Sequence, residues 1–184
     1  MAERLRNRLQ PYVYWFESSL RVQPIGAYQM NIFILDKDPK TCAQYHCDKH
    51  VVKMILESAQ MLCTVLSNKG VDVPYKPTHA KHPCTIWAAK SVANFNWLRT
   101  LSKYLNDEYK LRFNKKVNHK SYDVIQSLPE YSHTCSDLTA FAQAMPDEYK
   151  NSDPVKAYRD YYKHDKRDFA TWKTNTPAWW ERTQ

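Results

Sequence analysis

Glycine is almost absent from this chain, which contains only Gly26 and Gly70 among its 184 residues. Loops that cradle phosphate groups and the turns of dinucleotide-binding folds need several glycines, because the backbone approaches the ligand closely and adopts positive φ angles. Sheets joined by tight hairpins also favour Asn-Gly and similar pairs in their turns. The sequence therefore excludes P-loop and Rossmann sites and predicts a mainly α-helical fold.

The composition indicates a soluble globular protein with a basic surface. Apolar residues make up 43% of the chain, which is too many for a disordered protein, and no apolar run reaches the roughly 18 residues of a membrane span. The net charge of +8 favours a polyanionic partner, so we expect nucleic acid, DNA rather than RNA, and no membrane. Five cysteines form an odd set without a secretory signal, which predicts reduced thiols and a cytoplasmic location.

The chain divides near residue 30. Residues 1–29 are rich in arginine and aromatic side chains and contain two prolines, so we interpret them as an N-terminal appendage. Met30 offers an alternative translation start, and residues 30–184 are expected to form a single compact helical domain. The apolar run from Asn31 to Leu35 fits one short buried strand or a first helical turn, and periodicity does not separate the two.

Apolar spacing and capping signals predict five helices. Asp38 and Asp153 are expected N-caps, prolines at first-turn positions mark three helix starts, and Gly70 supplies a left-handed residue after the first long helix. Apolar residues form two adjacent bands on that first helix, which indicates deep burial. The predicted helices are Pro39–Ser67, Pro83–Phe113, Ser121–Leu128, Asp137–Ala144 and Pro154–His164.

A narrow polar stripe remains on the first long helix. Its members, within about 80° of arc, are His46, His50, Lys53, Glu57, Gln60 and Thr64. The stripe is either an ordinary solvated face or a functional site. The loop "THAKHP" contributes His79 and His82, so four of the seven histidines belong to two adjacent segments. This grouping favours a site.

Three kinds of chemistry fit these residues. The four histidines could bind zinc or iron, but the chain lacks an HExxH motif or paired CxxC motifs, and we favour a site without a cofactor. Lys49, Lys53 and the histidines could instead hold a phosphate or a nucleobase while Glu57 acts as general base. Alternatively Lys53, flanked by apolar neighbours, could be a nucleophile that attacks a sugar C1′ and forms a Schiff base. The residues do not separate the last two.

The C-terminal part of the chain interleaves aromatic and basic residues, a mixture that stacks on bases and neutralises phosphates. The tyrosines of this part could equally form the packed face of a short helix. The residues that we assign to nucleic-acid binding are Lys49, His79, His82, Lys163, Lys166, Arg167 and Trp172.

Five strings carry a resemblance: "MNIFILDKDP", "CDKHVVKMILESAQ", "THAKHPCTIW", "AQAMPDEYK" and "DPVKAYRDYY". They resemble a family of small, mostly uncharacterised proteins of tailed phages and some bacteria, over about residues 30 to 180. If the chain is phage-encoded, it would act in the host cytoplasm.

The chain is also similar, more weakly, to the phage pyrimidine-dimer DNA glycosylases of the endonuclease V type. Those compact all-helical enzymes begin with an Asn-Ile or Asn-Leu run, followed by a histidine and a catalytic glutamate on the first helix, and His46 and Glu57 could fill similar places. Their nucleophile is the α-amine of an N-terminal threonine, whereas here 29 residues precede Met30. The resemblance therefore implies that another amine acts, and Lys53 or Lys49 is the candidate.

The function that we predict is that of a DNA-binding, glycosylase- or lyase-like hydrolase acting on a base or its glycosidic bond. The candidate catalytic residues are Lys53, Glu57, His46 and His50. One alternative is a non-enzymatic phage accessory protein that binds a host protein or a nucleotide through a His/Lys anion pocket. A second is a metal-dependent hydrolase, with His46, His50, His79 and His82 as ligands of zinc or iron.

Overall fold

A computed structural model of the protein describes residues 30–180, and these residues form six α-helices without a β-strand. The predicted mainly α-helical fold is confirmed. The predicted appendage, residues 1–29, lies outside the described residues. The helices are α1 (Pro39–Tyr45), α2 (Asp48–Ser67), α3 (Pro83–Ala89), α4 (Val92–Arg112), α5 (Lys120–Ser127) and α6 (Pro154–Asp165), with a 3₁₀ turn at Asp147–Tyr149.

Side-chain caps explain where several helices begin. The Asp38 carboxylate accepts the N–H of Thr41 at 2.8 Å, and the Asp153 carboxylate accepts the N–H of Val155 at 3.0 Å. Each cap satisfies a main-chain donor that the first turn leaves without a helical partner, and a proline follows directly in both cases. Both predicted caps are confirmed.

Each of the two long predicted helices is broken. The first is interrupted at His46 and Cys47, whose backbones are extended. The N–H of Cys47 there bonds to the Tyr162 hydroxyl at 3.2 Å. The second is interrupted before α4, where Ser91 is extended and caps the next helix through the N–H of Asn94 at 3.0 Å. Apolar periodicity continues across both breaks, so it could not reveal them.

Two further expectations are wrong. The run from Asn31 to Leu35 is neither a strand nor a helical turn but a buried irregular segment. The predicted helix at 137–144 is also irregular, because the Asn94 side chain holds Thr139 by two hydrogen bonds, from its amide to the hydroxyl at 2.7 Å and from the Thr139 N–H to its carbonyl at 2.9 Å. The side-chain amide of Asn94, in α4, thus takes the place of helical main-chain hydrogen bonds in this segment.

The core is built around α2 and α4. Helix α1 also packs on α4, and α3 and α5 pack on α2. The first predicted apolar band of α2, Val51, Ile55, Leu62 and Leu66, is buried, and each of these side chains contributes roughly 1.5–3 kcal/mol relative to exposure. In the second band, Val52 and Leu56 are only partly buried. Gly70, at φ +81°, follows the end of α2 as expected. No helix among residues 30–180 combines the length and the apolarity that a bilayer span requires.

Candidate functional site

The N-terminal half of the polar stripe faces the interior. His46, His50 and Glu57 are buried, and only Lys53 reaches solvent, with 35% of its side chain exposed. The partners of this half are the irregular segment 31–35 and helix α6. The interpretation of the stripe as an ordinary solvated face is therefore wrong for this half.

Glu57 is a buried carboxylate with two donors. Its Oε2 accepts the main-chain N–H of Asn31 at 2.9 Å, and its Oε1 lies 3.0 Å from the Nζ of Lys53. Burial raises the pKa of Glu57, and the positive charge of Lys53 and the Asn31 N–H partly oppose that rise. A carboxylate of raised pKa beside a partly exposed amine is an arrangement that can support proton transfer.

The Asn31 side chain fixes the main chain that faces Glu57. Its amide donates to the carbonyl of Ala144 at 2.7 Å, and its carbonyl accepts the N–H of Ile32 at 2.8 Å and the hydroxyl of Tyr158 at 3.0 Å. All of these atoms are buried, so each bond replaces water that the interior excludes. Asn31 therefore aims its own N–H at the carboxylate.

Phe33 adopts φ +53°, a left-handed conformation that is rare for a bulky residue. Its ring stacks on His50, with centroids 4.6 Å apart, and meets Tyr158 and Tyr162 edge-on. Ring packing of this kind offsets the backbone strain. The turn brings the aromatic ring beneath the polar groups of α2.

A second cation, Lys166, lies just after α6. Its Nζ is 4.9 Å from the ring centroid of Tyr161 and 5.8 Å from that of Phe33, and it pairs with Asp165. Its positive charge opposes the raised pKa of Glu57 and helps to lower the pKa of His50. Sequence reasoning had assigned Lys166 to nucleic-acid binding alone. We define the Glu57 site as Asn31, Phe33, His50, Lys53, Glu57, Tyr161 and Lys166.

His50 is held by Tyr162. The Nδ1 atom of His50 lies 2.5 Å from the Tyr162 hydroxyl. Burial raises the pKa of Tyr162 well above its usual value, so the phenol keeps its proton and can donate it to Nδ1. Burial and the neighbouring positive charges lower the pKa of His50 well below its usual value. The imidazole is therefore neutral.

His46 ties the end of α1 to the irregular segment. Its Nδ1 lies 2.7 Å from the carbonyl oxygen of Cys42, and its Nε2 lies 3.2 Å from that of Ile32. Burial lowers the pKa of His46 to about 4, and the two carbonyls oppose that shift. The shorter contact assigns the proton of the neutral ring to Nδ1. Both ring nitrogens thus face main-chain oxygens.

The other two histidines lie in the loop before α3. The Nδ1 of His82 accepts the N–H of Cys84 at 3.2 Å and caps α3, and His79 is exposed. Thr64 binds Thr78 of this loop by two 3.0 Å hydrogen bonds, so the loop meets the C-terminal half of the stripe. The four histidines form two pairs. Among residues 30–180, no group of three or more His, Cys, Asp or Glu side chains could hold a metal ion.

The remaining predicted binding residues occupy different surroundings. Lys49 is exposed, and its Nζ lies 5.1 Å from the ring centroid of Phe169. Lys163 is half-buried and Arg167 is exposed. Trp172 donates its indole N–H to the carbonyl of Tyr45 at 3.0 Å, so its polar atom is used within the fold.

Sequence reasoning missed Asn31, Phe33 and Tyr161 as members of the site. The only signal for Asn31 was a polar residue at the start of an apolar run, and nothing marked Phe33. Comparison with family models, curated proteins and solved structures finds no significant match to this chain.

Proposed function

We propose that this protein binds DNA and acts on the glycosidic bond of a damaged base or on C1′ of an abasic sugar, with Lys53 as nucleophile and Glu57 as acid and base. The single observation that supports this most is the pairing of a buried carboxylate with a partly exposed lysine amine at 3.0 Å. Burial of Glu57 favours its protonated form, so the carboxylate is suited to take the proton that an ammonium must lose before it can attack.

The proposed reaction proceeds in two steps. Lys53 Nζ gives a proton to Glu57 Oε1 and attacks C1′; a new N–C1′ bond forms, and the glycosidic bond breaks with its electron pair on the base. The base takes the proton from the Glu57 carboxyl. A second proton then moves from the amine nitrogen to O4′, relayed by Glu57, as the C1′–O4′ bond breaks. The product is a protonated Schiff base between Lys53 and the opened sugar.

The rest of the Glu57 site suits this reaction. Lys166 adds positive charge beside the carboxylate, where the sugar phosphates of a substrate would lie. The neutral His50 would keep its ring proton and offer Nε2 only as a hydrogen-bond partner to the base. Both groups would act without a change in the charge state that their surroundings favour.

A non-enzymatic role is the second candidate. Lys53 and Lys166 place two positive charges near Glu57, and such a pair could hold the phosphate of a nucleotide or of a partner protein without any turnover. In that role Glu57 would only hold Lys53 in place.

Borohydride trapping separates the two candidates. A Schiff base can be reduced irreversibly, so incubation with abasic or base-damaged DNA and borohydride should join the protein covalently to DNA. Lys53→Ala should abolish the adduct, and Glu57→Gln should reduce it at least tenfold. Lys103→Ala serves as the control, because Lys103 forms the same i,i+4 pair with Asp107 on exposed surface and should trap normally.

Folded protein that binds DNA but neither traps nor cleaves it would reject the glycosylase proposal and favour the binding role. A persistent adduct in Lys53→Ala would reject Lys53 as the nucleophile. Circular dichroism melting of each variant establishes that loss of trapping is not loss of fold.

A further inference from the structure

The chain from Lys166 to Lys173 crosses the N-terminal end of α2. The N–H of Asp48 donates to the carbonyl of Thr171 at 2.8 Å, and the N–H of Lys173 donates to the Asp48 carboxylate at 3.2 Å. Two main-chain donors therefore fix this crossing segment. The segment from Lys166 to Lys173 therefore brings its basic residues beside the basic residues of α2.

Three lysines at this crossing have their ammonium groups over aromatic rings. Lys49 lies 5.1 Å from the ring centroid of Phe169, Lys173 lies 4.8 Å from that of Phe113, and Lys166 lies 4.9 Å from that of Tyr161. A ring holds an ammonium group by roughly 0.5–1 kcal/mol at an exposed site, and it does not neutralise the charge. We call Lys49, Lys166 and Lys173 the lysine rim.

Two of the three rim lysines, Lys49 and Lys173, have no carboxylate at ion-pair distance within residues 30–180, whereas Lys103, Lys150 and Lys156 each have one. The third, Lys166, pairs with Asp165. A lysine paired with a carboxylate loses part of its attraction for a second anion. A lysine that rests on a ring keeps its charge and is already ordered, so less side-chain entropy is lost when an anion binds.

The rim borders the Glu57 site. Phe169, the ring under Lys49, packs edge-on against His50 with centroids 5.4 Å apart. Lys49 lies one helical turn before Lys53, which places the two on neighbouring positions of the same face. Lys166 belongs to both the rim and the site.

We propose that the lysine rim binds the phosphate backbone of DNA on either side of the nucleotide that enters the Glu57 site. This inference rests on the proposed function and names the surface that the substrate would use. Several cations beside a buried acidic group suit a chain of phosphates whose middle unit lies at that group. Contacts to phosphates carry no base information, so the rim binds without sequence preference.

Salt-dependent binding tests the rim. Fluorescence anisotropy with labelled duplex DNA of mixed sequence gives the slope of log K against log salt for wild type, Lys49→Gln, Lys173→Gln and the double variant. Each lysine that contacts a phosphate should account for about one unit of slope, so the double variant should lose about two. Lys156→Gln is the matched control, because it removes the same charge from an exposed lysine that pairs with Asp160.

The failures are distinguishable. Wild-type protein that does not bind DNA at low salt would reject the proposed function together with the rim. Wild-type binding with an unchanged slope in the double variant would reject the rim alone. Rim-dependent binding to vesicles of anionic lipid, without rim-dependent binding to DNA, would assign this surface to a membrane and overturn the proposal.

Discussion

Two buried glutamates have a cation at the same helical spacing, in opposite order, and different surroundings. Glu57 of α2 pairs with Lys53, and Glu108 of α4 pairs with Arg112, each at i,i+4 spacing. The Arg112 side chain is 0% exposed, whereas that of Lys53 is 35% exposed. The first pair is open to solvent through its cation, and the second is closed.

The closed pair uses its donors within the fold. Arg112 bonds to Glu108 at 2.7 Å, to the carbonyls of His46 and Gln44 at 2.8 and 2.7 Å, and to Asp48 at 3.1 Å. These bonds fix the break between α1 and α2. The Lys53 ammonium has three donors and is still reached by solvent, so it can meet a ligand. Spacing alone therefore does not separate a structural ion pair from a candidate site. The two pairs differ in how many N–H donors of the cation are bonded within the fold.

Replacement of Arg112 is expected to have the largest effect. Arg112→Ala leaves Glu108 buried without its cation and two carbonyls without their donor, and such changes cost about 3–5 kcal/mol. The free energy of unfolding in urea measures the loss. Lys103→Ala, in an exposed i,i+4 pair, should cost no more than about 1 kcal/mol. Similar losses in the two variants would mean that burial of the Arg112–Glu108 pair adds nothing to the free energy of unfolding.

Acid is expected to have the second-largest effect, a loss of folding stability that arises near the closed pair. Burial lowers the pKa of His46 to about 4, below its usual 6.5. The unfolded chain therefore binds a proton that the folded chain does not, and stability present above pH 6.5 is lost as the pH falls towards 4. At 1.36 kcal/mol per pKa unit, His46 contributes about 3 kcal/mol to this loss. The raised pKa of Glu57 acts in the opposite direction.

Urea unfolding across this pH range measures the decline, and an NMR titration assigns it to His46. A His46 ring that titrates near the usual histidine value would contradict the prediction, whatever the stability curve shows.

The open pair should give the smallest effect. In a double-mutant cycle of Lys53→Met and Glu57→Gln, the coupling free energy should be about 1 kcal/mol at neutral pH, because solvent screens a partly exposed cation. The coupling should vanish as acid protonates Glu57, since the attraction requires an ionised carboxylate. A coupling above about 3 kcal/mol, the level of a buried pair, would show that Lys53 is structural, and the distinction between the two pairs would fail.

Local signals account for most of the fold that the sequence predicts. Proline and aspartate caps locate the starts of α1 and α6, and the apolar bands of α2 predict its burial. The polar stripe likewise singles out Glu57 and Lys53, because their spacing is a property of one helix. Local signals do not predict the helix breaks, since the break before α2 is bonded to Arg112, which belongs to α4.

The rest of the site depends on contacts between distant parts of the chain. Asn31 is held by Tyr158, which lies 127 positions later, and Lys166 reaches Phe33 from beyond α6. A sequence pattern that spans a single helix cannot include both partners of such a contact. The division of the four histidines into two pairs has the same origin, because the loop that bears His79 and His82 is tied to Thr64, at the far end of the stripe.

The backbone turn at Phe33 also affects when the Glu57 site can assemble during synthesis of the chain. A left-handed bulky residue is unfavourable by roughly 1–2 kcal/mol, and Tyr158 and Tyr162, whose rings offset this, belong to the last helix. Until the ribosome has released α6, the turn lacks its support, and the N–H of Asn31 is not directed at Glu57. A nascent chain that already contains all of α2 therefore has Lys53 and Glu57 but not an assembled site, which forms only when α6 docks.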